Sequence, residues 1–64
     1  MASEKYVDNM TRMIAFSNEA MKKAREAIEM QDEDAILLNL VAVGDLLLLA
    51  HTEVLAAVKT FKPG

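Results

Sequence analysis

The chain has 64 residues, a mass of 7.1 kDa, no cysteine, a single histidine and a net charge of -3, and 53% of its residues are hydrophobic. That length allows one small domain, and the composition excludes a disulfide framework, a thiolate zinc site and a disordered chain. Folding such a chain alone buries ~6,200 Å², worth ~90 kcal/mol if ~60% of it is apolar, about what ordering the residues costs; oligomerisation is therefore the expected source of stability.

Ser3 stands before Glu4 as a candidate helix cap, and no proline or glycine follows until Gly44, so a helix is expected over residues 4 to 31. Val7, Met10, Ile14, Ser17, Met21, Ala24 and Ile28 recur at alternating spacings of three and four, with Tyr6, Met13, Ala20 and Ala27 widening the stripe on one side. The opposite face carries Asp8 with Arg12, Glu19 with Lys23, and Arg25 with Glu29 at four-residue spacing, as a solvated helix surface does.

Gln31, Asp32, Glu33 and Asp34 form the one polar run between apolar segments. A turn is expected at residues 32 to 34, with Asp32 or Asp34 capping a second helix over residues 35 to 61. One continuous rod is the rival, but extending the first stripe would place Asp45, Thr52 and Lys59 in the seam, whereas the apolar row runs through Leu37, Leu40, Gly44, Leu47, His51, Val54, Val58 and Phe61. This phase jump near position 32 favours a hairpin with that row turned inward. Residues whose numbers sum to about 65 then lie level: Met21 opposite Gly44, Ala24 opposite Leu40 or Val41, Ser17 opposite Leu47 or Leu48, and Ile28 opposite Leu37. Lys59, Lys62 and Pro63-Gly64 close the second helix.

Eighteen of the twenty-four residues from Ala35 to Val58 are apolar, more than one inward seam uses. Leu38, Ala42, Leu46, Leu49 and Ala56 define a second row, with Asp45, Thr52 and Glu53 beside it. The expected architecture is all-α: a two-helix antiparallel hairpin assembling through that row as a four-helix bundle homodimer. Phe16, Leu38, Ala42, Asp45, Leu46, Leu49 and Glu53 are the expected interface. Phe16 and Met30, at the edge of the first stripe, are candidates for partner contacts, and Met10, Met13 and Met21 serve as flexible core filling. The charges divide as well, residues 1 to 31 summing to zero and residues 32 to 64 to -3.

The second segment has the length of a membrane span. Asp45 and Asn39 inside it, and the lack of an aromatic belt or a strong basic flank, count against insertion. The N-terminus has no positively charged start followed by an apolar run, so a cytoplasmic setting is the expectation.

Chemistry is sparse. His51 and Glu53 are two positions apart, so their side chains diverge on a helix; His51 is expected to be structural, and no metal or cofactor is called for. Asp32 to Asp34 lack the glycine and terminal glutamate of a calcium loop. No nucleophile, acid/base pair or phosphate loop can be assembled, which argues against an enzyme. The expected role is a protein-protein interaction module or regulator that self-associates and takes a partner helix on an apolar face of its second helix. One alternative is a small ligand, for example a nucleotide, bound between subunits near Asp45, His51 and Glu53.

A second alternative is RNA binding at Arg12, Lys22, Lys23 and Arg25, where Glu19, Glu26 and Glu29 neutralise much of the basic cluster. The run Asn9-Met10-Thr11-Arg12-Met13-Ile14, within a dimerising helical hairpin of this length, resembles the first helix of the Rop family of plasmid RNA regulators. The resemblance covers six residues and implies an RNA-binding regulator. Met13, Ser17 and Ala24 stand where that family's RNA-contacting face carries an aromatic and further polar or basic side chains.

Overall fold

The computed structural model describes residues 4 to 61. Two helices, α1 (Lys5–Glu29) and α2 (Glu33–Lys59), pack antiparallel as a hairpin, and no strand is present among the described residues. The cap expected at Ser3, and Lys62, Pro63 and Gly64, lie outside that range.

The connection comes two residues earlier than the expected turn at 32 to 34, consisting of Met30, Gln31 and Asp32. Met30 breaks α1 by turning extended (φ -78°, ψ 152°) while its N–H still donates to the Ala27 carbonyl at 3.3 Å. Asp32 is likewise extended, and its Oδ2 accepts from the Ala35 N–H at 3.0 Å. This cap satisfies one of the free donors of the first turn. Glu33 and Asp34 then sit inside α2 as acidic first-turn residues, where they oppose the positive end of the helix dipole. No residue in the turn needs a positive φ, which is why it forms without glycine. Lys59 lies at the other, negative end of α2, and Thr60 closes it with an N–H shared between the Ala57 and Val58 carbonyls.

The inward seams follow strict three-four spacing. On α1 the less exposed residues include Asn9, Met13, Phe16, Ala20, Lys23, Ala27 and Met30, and on α2 Ile36, Asn39, Val43, Leu46, Ala50, Glu53, Ala57 and Thr60. Ala20, Ala27, Ala50 and Ala57 are the four buried residues. Cross-helix contacts fix the register: Asn9 to Glu53, Arg12 to Glu53, Asn39 to Lys23 and Tyr6 to Phe61, with residue numbers summing to between 62 and 67. Pairing the two seams at a sum of 66 gives layers of Phe16 on Ala50, Ala20 on Leu46, Asn9 on Ala57 and Ala27 on Asn39. Large meets small in each, as dense packing between close helices requires.

This arrangement corrects the inward row. Leu37, Leu40, Gly44, Leu47, His51, Val54, Val58 and Phe61 are all exposed, as are Val7, Ile14, Met21 and Ile28 of α1. The expected level pairs, such as Met21 with Gly44 and Ile28 with Leu37, are neighbours in height but both members lie outside the seam. The physical reason is size and pairing: alanines allow a closer helix approach than leucines, and the polar residues of the seam satisfy one another. Asn39 Nδ2 donates to the Lys23 carbonyl at 3.1 Å, and Asn9 Nδ2 donates to Glu53 Oε1 at 3.0 Å.

Measured over Cα atoms, the hairpin is 50 Å long, 15 Å wide and 9 Å thick. Its radius of gyration is 15.1 Å, against ~10.7 Å for a compact globule of this length. It is one helix layer thick, so any side chain outside the seam has nothing above it.

Candidate interaction surface

At 100° per residue, the residues one and four places beyond each seam position fall on a single flank of each helix. In an antiparallel pair these two flanks lie on the same side of the hairpin. The flank of α1 carries Val7, Met10, Ile14, Ser17, Met21, Ala24 and Ile28. That of α2 carries Leu37, Leu40, Gly44, Leu47, His51, Val54, Val58 and Phe61, and Val41, Leu48 and Leu55 extend it outward. Val7, Ile14 and Met21 are each about half exposed, Ile28 is 83% exposed, and Leu37, Val41, Leu48 and Val58 are more than half exposed. Together they form one unbroken apolar face along both helices. His51 is the sole ionisable side chain on this face between Leu37 and Phe61.

The other side of the hairpin is polar along α1, with Lys5, Asp8, Arg12, Glu19, Lys22, Glu26 and Glu29. On α2 it carries Leu38, Asp45, Thr52 and Lys59 beside the small flank Ala35, Ala42, Leu49 and Ala56. The one ion pair among the described residues lies here, Arg12 Nε donating to Glu53 Oε1 at 3.0 Å. The hydrogen bond from Asn9 and then the Arg12 guanidinium hold the Glu53 carboxyl below its ordinary value of 4.5, against partial desolvation.

The seven residues expected at the interface therefore separate into three places. Phe16, Ala42 and Leu46 are partly covered, Phe16 and Leu46 in the seam and Ala42 beside it, while Glu53 is tied to α1 by Asn9 and Arg12. Leu38 and Asp45 are exposed on the polar side, and Leu49, 47% exposed, stands with them. Met30 is partly covered at the turn rather than free. The exposed face that does run the length of the molecule is the row sequence reasoning turned inward. Its signal was present as the uninterrupted spacing from Leu37 to Phe61; what misled was the assumption that the more apolar row must face the intramolecular partner.

Asp45, His51 and Glu53 point to three different sides of α2, and no cavity or metal-holding cluster occurs among the described residues. Of the basic residues, Arg12 is committed to Glu53 and Lys23 is partly covered, while Lys22 and Arg25 are exposed. By length and composition α2 is apolar enough to cross a membrane; Asp45 stands exposed midway along it and Asn39 bonds back to α1. No family model matches the sequence, and no curated protein or solved structure matches it.

Proposed function

We propose that this chain is a non-enzymatic interaction module that self-associates through its long apolar face, two hairpins stacking face to face as a homodimeric four-helix bundle. The observation that supports this reading is the face itself, which spans both helices and carries no fixed charge between Leu37 and Phe61. An apolar face of that extent on a water-exposed chain marks an interaction site.

The area fits a second copy. The isolated hairpin exposes 4991 Å², about 900 Å² more than the ~4,100 Å² of a compact body of this mass. A specific interface buries ~800 Å² per partner. Two copies forming one compact body of twice the mass would bury ~1,600 Å² each, within the range of obligate homodimers. A target helix seated in place of one hairpin uses the same groove chemistry, apolar anchors at three- and four-residue spacing. In this reading regulation of a target amounts to exchange of one occupant for another on that face, and a cytoplasmic setting goes with it.

Sedimentation equilibrium over a concentration series tests the proposal. The wild type is expected to sediment at twice the chain mass at tens of micromolar, Leu48→Glu to sediment as a monomer, and Leu38→Glu, on the polar side, to match the wild type. A wild type that stays monomeric and fully helical at those concentrations overturns the reading. So does a Leu48→Glu variant that still dimerises.

A further inference from the structure

Gly44 has no task inside the hairpin. It lies in the interior of a continuous helix, where glycine is less stable than alanine, yet its φ is not positive and a Cβ built on it would meet nothing within 4 Å. Neither backbone conformation nor crowding within the chain calls for the missing side chain. The remaining physical use of a glycine is close approach by another backbone, and the only side from which one can come is the apolar face on which Gly44 sits. Around it, one turn away in each direction, stand Leu40, Val41, Leu47 and Leu48, all half exposed or more. They form a rim about a flat spot.

The position of that spot along the helix names the occupant. Gly44 lies two residues from the midpoint of α2 (Glu33–Lys59), or ~3 Å along the axis. A two-fold axis perpendicular to α2 at this point overlays the two helices over nearly their full length, which an isologous contact between identical chains requires. We propose that the second helices of two copies cross antiparallel at Gly44, backbone against backbone, forming the central pair of the bundle. Residues whose numbers sum to 88 are then level across the axis. Leu48 meets Leu40 of the partner subunit, Leu47 meets Val41 of the partner subunit, and His51 comes beside Leu37 of the partner subunit. Each large side chain stands beside the crossing rather than in it, so the rim interlocks while the glycines touch.

This crossing rests on the homodimer reading, and cysteine scanning separates the two. The chain contains no cysteine, so Gly44→Cys, Leu37→Cys and Val58→Cys each carry a single thiol. A disulfide needs Cα atoms within ~7 Å. Under mild oxidation Gly44→Cys is expected to cross-link into a covalent dimer much faster than either control, whose positions lie ~20 Å or more from their symmetry mates in the antiparallel arrangement. Preferential cross-linking at Leu37→Cys or Val58→Cys overturns the crossing while leaving a dimer. A wild type that sediments as a monomer overturns the dimer itself.

A second readout guards against a cysteine that perturbs packing. Gly44→Ala is expected to raise the helicity of the chain at concentrations where it is monomeric, because the hairpin has room for the methyl group. The same change is expected to weaken dimerisation, and Gly44→Leu to weaken it further, on the order of tenfold to a hundredfold in Kd. If either substitution tightens the dimer, the close approach at Gly44 is wrong.

Discussion

Ala50→Leu tests the seam. Ala50 is 6% exposed, and pairing the two seams at a sum of 66 sets it level with Phe16, with the sizes reversed in the neighbouring layer of Ala20 and Leu46. A leucine at 50 adds three carbons at a buried position opposite the Phe16 ring in that pairing. The helices cannot part locally without opening the next layer, where Ala20 is buried. Overpacking of this kind costs ~1 to 3 kcal/mol, and in a domain this small each kcal/mol moves Tm by ~4 to 8 °C. The expected drop is about 5 to 20 °C in a thermal melt followed by circular dichroism. The double variant Ala50→Leu, Phe16→Ala restores large-on-small packing with the sizes exchanged, so it is expected to be at least ~1 kcal/mol more stable than the two single effects predict by addition. Equal or higher stability of Ala50→Leu alone, or strict additivity in the double variant, refutes the layer assignment. The melts belong at one fixed chain concentration, since the proposed self-association raises Tm by mass action.

Two predictions concern the ionisable side chains Glu53 and His51. The Glu53 carboxyl is held below its ordinary value of 4.5 by Asn9 and Arg12, so its contribution to hairpin stability is complete above 4.5 and is lost as pH falls through the lowered folded value. Denaturation between pH 6 and pH 2 is expected to show an acid limb that Glu53→Gln flattens; an unchanged limb means the contact carries no linkage. His51 is the one ionisable side chain on the apolar face, and covering it with a second copy, where Leu37 of the partner subunit is its neighbour, takes a polar ring out of water. His51→Leu is therefore expected to tighten the proposed dimer in sedimentation equilibrium, and an unchanged or weaker Kd contradicts burial of His51.

The hairpin and a polar connection with an aspartate cap were legible because they rest on local signals, although the sequence left the cap between Asp32 and Asp34 and set the turn two residues late. Acidic residues at a helix start and a break in apolar phase carry their meaning within a few positions of chain. Register was legible too, since a short turn leaves little freedom for how two helices align. Which face turns inward was not. α2 is apolar on nearly every side but one, so periodicity offers two seams and ranks them by hydrophobicity, which favours Leu37, Leu40 and Leu47 over Ile36, Asn39 and Ala50. The structure chooses by fit instead. Ala50 and Ala57 let the backbones close, and Asn39 and Glu53, which look out of place in a core, find the Lys23 carbonyl and Asn9 as partners. A cross-helix pairing of polar residues was the missing signal. Asn9 with Glu53, and Lys23 with Asn39, both sum to 62, which reading the polar rather than the apolar positions would have shown.

A seam built from alanines has a consequence for how the chain folds. Dispersion and apolar burial scale with the atoms brought together, and the intramolecular contact engages few of the large side chains, leaving Ile14, Met21, Ile28, Leu40, Leu47 and Leu48 in water. The hairpin therefore fixes geometry while burying few of its large side chains, and on the proposed homodimer most of the burial that offsets chain ordering comes from the second interface. On that proposal the folded monomer is a marginal species, and Leu48→Glu is expected to lower Tm as well as the dimer fraction although it touches nothing inside the hairpin. Folding and recognition are then one equilibrium, set by chain concentration and by whatever occupies the face.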